Sequence, residues 1–325
     1  MKENKDDGWE SPQCNLCGSK RYAIVWDNTE SWLSKGVFRI VKCRKCDLVY
    51  LSPRPTKNLI GKYYKPDSYW GIDLKRGNIG EELERRDEAY DFLYKDIFKR
   101  KKAGSILDVG AGTGLFLTKF KERGWEIEGV ELSSQACKFA KRNYDIDLRY
   151  GDLLAQNIPA NYFDVVTLNG CLEHLHKPKE TLVKINKVIK YEGLLVITVP
   201  NFDSIGRILF GKDWYALQPP THLYHFTPRT LINILELSGF KTKTLKYNYW
   251  KHNYSILFES IRLLFSPKFK ISKEGFTNKN LSKKSKRTFY LESMKLFTKV
   301  IVFIISALEP VLKKGEVITV YAEKA

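Results

Sequence analysis

The chain has 325 residues, 43% of them apolar and 13% aromatic, a composition that supplies a sizeable core and excludes a globally disordered protein. Its net charge of +18 favours anionic partners, and residues 241–325 carry 18 Lys/Arg against 6 Asp/Glu, two thirds of that excess. The opening MKENKDDGWE lacks the apolar stretch of a secretory signal, and no run of about 18 apolar residues occurs, so the sequence predicts a cytoplasmic protein with no spanning helix.

Residues 11–52 predict a small metal-centred module. CNLC (Cys14, Cys17) and CRKC (Cys43, Cys46) are separated by a span that holds YAIVW and VFRIV as short strands. Without a secretory signal, metal is favoured over disulfides. Four thiolates complete a tetrahedral zinc site and leave no position for substrate, which predicts structural zinc. Cys137 and Cys171 stand alone in apolar segments and read as small hydrophobes. SPRP (52–55) marks a linker, and Leu83, Tyr90, Leu93, Ile97 and Phe98 give residues 81–100 the spacing of an amphipathic helix.

From residue 105 strands and helices alternate. SILDVG, IEGVEL (127–132), DLRYG, YFDVVTLNG (162–170) and GLLVITVP (193–200) read as strands. Leu115–Arg123, the segment after Ser133 or Ser134, and residues 178–190 read as helices. Such alternation predicts a parallel sheet covered on both faces. After Pro200 comes a long connection rich in aromatics, Pro and His, then a helix with Thr227 as N-cap and Pro228 at its first position, then the strand KTKTLKYNY. A basic, apolar-rich stretch follows, and EVITVYAEK closes the chain as a strand. Within that stretch, residues 295–312 place Leu296, Val300, Phe303, Ile304 and Ala307 on one helical stripe, widened by Phe297, Ile301, Ile305 and Leu308. Residues 268–287 hold eight Lys/Arg and one Glu, so this region predicts peripheral contact with an anionic membrane. The organisation expected is a zinc module over 1–55, a helical linker or lid over 56–104, a core over 105–248, a helical insertion over 249–315 and a final core strand over 316–325.

The segment ILDVGAGTG (106–114) sets Asp108 two positions before a turn with three glycines. The pyrophosphate fingerprint needs Gly or Ala at position 115, where this chain has Leu115, and the Asp108 charge would repel a phosphate. S-adenosylmethionine has no phosphate and carries an ammonium and a sulfonium, so it suits both features. Glu131, at the end of the second strand, can accept from both ribose hydroxyls, and Asp152, after the third, can meet the adenine amino group.

ILDVGAGTG, GVEL, GDL and NGCLEHLHKP resemble the successive motifs of class I S-adenosylmethionine-dependent methyltransferases. CRKCDLVYLSPRP, YYKPDSYW and THLYHFTPRTLINILELSGF resemble, more narrowly, a bacterial and archaeal group with an N-terminal zinc module that includes deoxysugar C-methyltransferases and enzymes of surface-polysaccharide biosynthesis. The resemblance implies a Rossmann-like, doubly wound α/β fold of seven strands with the last antiparallel. It assigns cofactor binding to Asp108, Gly110, Ala111, Gly112, Glu131, Leu132, Asp152, Leu153, Asn169 and Gly170. It also implies a sugar or glycan acceptor, methylated on oxygen or carbon.

A hydroxyl or carbon-acid acceptor needs a base near neutrality, and histidine fits. His174 follows the fourth strand, and His222 and His225 lie on the connection after the fifth, so all three are candidate bases at the carboxyl edge. Glu173 can orient His174. NGCL stands where enzymes that methylate planar amide-like nitrogens carry NPPY, which counts against that chemistry. An RNA methyltransferase using the zinc module and basic C-terminal region is the competing reading, and a non-enzymatic cofactor-binding protein a third.

Overall fold

The computed structural model describes residues 8–31, 34, 36–64, 68–69, 72–73, 80–247, 250–265 and 302–325. Strands β1 (Tyr22–Glu30), β2 (Val37–Cys43) and β3 (Val49–Leu51) build a small antiparallel sheet beside the four cysteines. Helix α1 (Gly80–Arg100) follows and leads into β4 (Ser105–Val109), α2 (Leu115–Glu122), β5 (Glu126–Glu131), α3 (Ser134–Tyr144) and β6 (Arg149–Tyr150). The chain continues through β7 (Phe163–Asn169), α4 (Pro178–Val188), β8 (Ile189–Pro200), α5 (Ile205–Phe210), β9 (Tyr224–His225), α6 (Pro228–Glu236), β10 (Phe240–Lys246), α7 (Trp250–Phe265) and β11 (Val317–Lys324).

Seven of these strands form one sheet in the order β6-β5-β4-β7-β8-β11-β10. Pairing is parallel from β6 to β8, whereas β11 runs antiparallel to both β8 and β10. This is the seven-stranded, doubly wound α/β sheet expected, with its last strand antiparallel. Every residue of β4 is buried, as two-sided cover by helices requires. The strand order reverses between β4 and β7, and the carboxyl ends of β4, β5 and β7 flank that switch point.

Local chemistry sets the helix starts. Ser133 Oγ accepts from Ala136 N at the head of α3. Thr227 and Thr230 form a reciprocal capping box at the head of α6, with Pro228 in its first turn. Helix α1 packs aromatics onto α2: Tyr94 stacks on Phe116 at 5.0 Å between centroids, and Phe98 lies 4.9 Å from Phe120. Such pairs contribute about 1 kcal/mol each beyond their buried area. Helix α4 ends at Val188, short of the end its periodicity predicts, because Ile189 is buried and pairs with Phe163 in the sheet.

The connection after β8 does more than cross a loop. Its strand β9 pairs with β3, Tyr224 opposite Tyr50 and His225 opposite Val49. Leu51 N also donates to Leu223 O at 3.0 Å. The sheet beside the cysteines therefore contains a strand from far downstream in the chain. Glu316, buried just before β11, accepts from Gly206 N (2.6 Å) and Trp214 Nε1 (2.5 Å) and fastens the same connection.

The stretch over 302–308 is helical; it turns Val302 and Ser306 inward and leaves Phe303, Ile304 and Leu308 of the broad apolar face exposed. The basic cluster at 268–287, and Leu296, Phe297, Val300 and Ile301 of that stripe, lie outside the described residues. Among the described residues no helix is long and apolar enough to cross a membrane.

Candidate active site

The glycine turn joins β4 to α2. Gly110, Gly112 and Gly114 have φ of 75°, 57° and 76°, a region in which side chains are strained. A Cβ on Gly110 would also come within 2.7 Å of Cys171 Sγ. Gly110 N and Ala111 N donate to Val130 O, and Gly112 N donates to Glu131 Oε2 at 2.8 Å. The other carboxylate oxygen, Oε1, accepts from Ser133 N at 2.8 Å. Two backbone N–H groups thus aim Glu131 from the end of β5, and Leu132 beside it is exposed.

Asp108 is 2% exposed and accepts from Thr167 Oγ1 at 2.6 Å. Burial pushes its carboxyl up to about 7; the Thr167 bond opposes that shift and the Glu131 charge adds to it. Asp152 follows β6 and caps the turn containing buried Leu153: Oδ1 accepts from Leu154 N (3.0 Å) and Oδ2 from Lys57 Nζ (2.6 Å). Burial works against its charge, but the hydrogen bonds, that of Lys57 foremost, outweigh it and hold the carboxyl below its ordinary value. Each oxygen accepts one bond and keeps a second lone pair, so an adenine amino group meeting Asp152 shares the carboxylate with Lys57.

At the end of β7, Gly170 has φ 57° and donates to Thr198 O and Oγ1 at 3.0 and 3.1 Å. Both polar atoms of the Asn169 side chain are shielded from solvent with no hydrogen-bond partner among the described residues. A buried acid, an unsatisfied buried amide and a backbone bared by glycine surround one strand-end crevice. That set fits S-adenosylmethionine, whose amino-acid end is both cationic and rich in hydrogen-bonding groups.

Next to it stands a second constellation. Glu173 is buried on the short turn Leu172–His174 after β7. His174 is half-buried, with Nδ1 2.8 Å from Thr221 O and 3.2 Å from Tyr64 Oη. His222 is buried with Nδ1 2.8 Å from Ala216 O, and the two imidazole rings lie 4.6 Å apart. Burial pushes Glu173 up to about 8 and pulls His174 down to about 4 and His222 well down, keeping both imidazoles neutral at physiological pH. His225 stands apart from this pair, buried on β9 with its ring 5.6 Å from Phe202 and pulled down to about 3 by burial. His176 lies elsewhere, its Nε2 3.0 Å from Pro55 O.

The structure therefore joins His174 and His222, which are distant in the sequence, and draws Tyr64 and Lys57 to the same edge. No sequence spacing marks Tyr64 or Lys57 for that position; each arrives because β9 brings the N-terminal sheet against the core. Cys171 is buried over the glycine turn, and Cys137 is half-buried.

The four N-terminal cysteines converge. Cys14 Sγ lies 3.4 Å from Cys46 Sγ, Cys17 Sγ lies 3.6 Å from Cys43 Sγ, and all four sulfurs fall within 4.8 Å of one another. These separations are too long for disulfides and close to the about 3.8 Å edge of a tetrahedron of zinc–thiolate bonds.

Comparison with known proteins places this geometry in context. A family model described as a methyltransferase domain matches residues 83–245, half of the chain. The demethylmenaquinone methyltransferase of Renibacterium salmoninarum is 34% identical over 31% of this chain and 43% of its own length. The mitochondrial ubiquinone biosynthesis O-methyltransferase of Schizosaccharomyces pombe is 29% identical over 36% of this chain and 44% of its own. The chain thus spans less than half the length of these curated relatives. Among solved structures, an S-adenosylmethionine-dependent methyltransferase from Archaeoglobus fulgidus is 23% identical, covering 74% of this chain and 94% of that one, with a TM-score of 0.48. With half of its length matched and the seven-stranded sheet in place, the chain belongs to the methyltransferase-domain family, in its class I, S-adenosylmethionine-dependent form.

Proposed function

We propose that this protein transfers a methyl group from S-adenosylmethionine to oxygen or carbon of a small-molecule acceptor, a sugar or glycan intermediate. The observation that carries the reading is the adjacency of the two constellations: the turn that holds Glu173 and His174 directly follows Asn169, and Cys171 between them lies against Gly110 of the turn that Asp108 and Glu131 flank. The bound cofactor supplies the electrophilic methyl group and its thioether leaving group. Asp108 faces the cationic end, Glu131 accepts from the ribose hydroxyls, and the glycine turn lets the backbone approach. His174, His222 and His225 are neutral and so able to take a proton from the acceptor, but burial makes each a weaker base than the near-neutral histidine the sequence predicts. The sugar or glycan class rests on the N-terminal and THLYHF motifs; the named relatives are quinone-pathway enzymes, which supports a small molecule over RNA.

Within this reading Cys14, Cys17, Cys43 and Cys46 hold one structural zinc, supported by their tetrahedral spacing. After mild chelation, metal analysis should give one thiolate-held zinc per chain, and Cys43→Ser should lose it together with thermal stability. The C-terminal segment docks on an anionic membrane from the cytoplasmic side, supported by the exposed Phe303, Ile304, Leu308, Val311 and Leu312 and by the basic sequence at 268–287. Flotation with acidic vesicles at low salt tests this; protein that stays unbound rules it out.

Calorimetry decides the cofactor: S-adenosylmethionine should bind at micromolar affinity, and binding of a nicotinamide dinucleotide instead would end the proposal. Transfer of labelled methyl to nucleotide sugars or lipid-linked glycans is the expected activity. Label transferred only to RNA favours the competing enzyme.

A further inference from the structure

Glu173, His174 and His222 each offer one donor atom, and the three donor atoms lie within 4.8 Å of one another. They come from two distant stretches of chain, the turn after β7 and the connection after β8. A backbone carbonyl can only accept, so the 2.8 Å contacts of His174 Nδ1 to Thr221 O and of His222 Nδ1 to Ala216 O place the proton on Nδ1 of both rings. Nε2 is then the lone-pair nitrogen on each imidazole. An Nδ1–H fixed by a carbonyl is the arrangement that orients histidine for a metal. Glu173 Oε2 is buried and meets no hydrogen-bond donor among the described residues. A buried carboxylate oxygen without a donor needs a proton or a cation.

We propose that Glu173, His174 and His222 form a divalent-cation site, distinct from the four-cysteine cluster, that takes a metal of the zinc, manganese, iron or cobalt class. Two imidazole nitrogens and one carboxylate suit these ions and not calcium or magnesium, which prefer oxygen. Three protein ligands leave coordination positions open. Glu173 and His222 are buried and His174 half-buried, with its Nε2 shielded from solvent, so the site is enclosed. Resting on the methyl-transfer reading, the ligand at an open position is an oxygen of the acceptor, and the cation makes its proton easier to remove. That proton is released to water, because each triad imidazole then holds the metal through Nε2 and already carries a proton on Nδ1.

The test uses the full-length protein treated with a chelator mild enough to leave the thiolate-bound zinc, then titrated with Co2+. One equivalent should bind with the weak visible bands of nitrogen and oxygen ligands, without the intense charge-transfer absorption of cobalt thiolates. Glu173→Gln and His174→Ala should each weaken Co2+ binding at least about tenfold, with unchanged thermal unfolding in metal-free buffer. Failure of the unaltered protein to bind Co2+, thiolate-type bands only, or equal affinity in both variants overturns the site. S-adenosylmethionine calorimetry on the same samples separates the two claims. Cofactor binding without Co2+ binding removes the metal alone, and Co2+ binding without cofactor binding removes the methyl-transfer reading.

Discussion

The two sides of the strand-end crevice are built by different means. On the cofactor side, Gly110, Gly112 and Glu131 come from one continuous turn–helix–strand stretch, and their contacts are backbone N–H to carboxylate and backbone to backbone. On the acceptor side, Glu173 and His174 meet His222 only after the chain has passed through α4, β8 and α5, and their contacts are side chain to carbonyl and ring to ring. The first side is held by the sheet itself; the second depends on a long connection pinned at β9 and Glu316. In the proposed reading a common cofactor is gripped by a fixed local device, and acceptor choice resides in the part that chain packing can vary.

The contrast can be broken most forcefully at the glycine turn. Gly112→Val places a β-branched residue at φ 57° and should lower S-adenosylmethionine affinity by about 100-fold or more while far-ultraviolet circular dichroism stays unchanged. If binding survives, the turn is not the cofactor cradle. Next in size, His222→Ala should reduce turnover by about 100-fold with cofactor affinity within twofold, since it removes only an acceptor-side group. A parallel loss of cofactor affinity would show that the two sides are not separable.

A smaller effect tests the charge logic of the cofactor side. Asp108, pushed up to about 7 in the free protein, must be ionised to meet a cation, so binding expels a proton below that pH. Affinity should fall by about tenfold for each pH unit below 7 and level off above it. Calorimetry between pH 5 and 8 checks the slope, and Asp108→Asn should flatten it. The smallest change concerns Lys57, whose half-exposed ammonium shares Asp152 with the adenine amino group. Lys57→Ala should tighten S-adenosylmethionine by about threefold at most, the scale of an exposed ion pair. Weaker binding instead would mean that Lys57, not Asp152, meets the cofactor.

The cofactor side is legible in the sequence because each feature is local: a strand, a glycine that needs positive φ, and an acid at a strand end. The four cysteines are legible for the same reason, two turns of fixed spacing. The pairing of His174 with His222 is not, because ring contact between such distant segments leaves no periodic trace, and His225, its companion in THLYHF, turns instead to Phe202. The outward face of residues 302–308 escapes the pattern because an apolar stripe does not state which side meets the protein. Buried Ser306 and Glu309 show that polar residues took the inner positions.

The pairing of Tyr224–His225 with Val49–Tyr50 bears on how such a protein can be inherited or rebuilt. The N-terminal region looks like a cassette, with its own cysteines and hairpin, yet one of its four strands is encoded far downstream. A truncation that begins after Pro55 would leave Tyr224–His225 with an open edge and Tyr224 Oη without the guanidinium of Arg54. A chimera that exchanges the segment up to Pro55 between relatives must therefore carry residues 223–226 with it. Recombination that separates the two would yield a chain prone to aggregate through that edge, so these two stretches of the gene are bound to travel together.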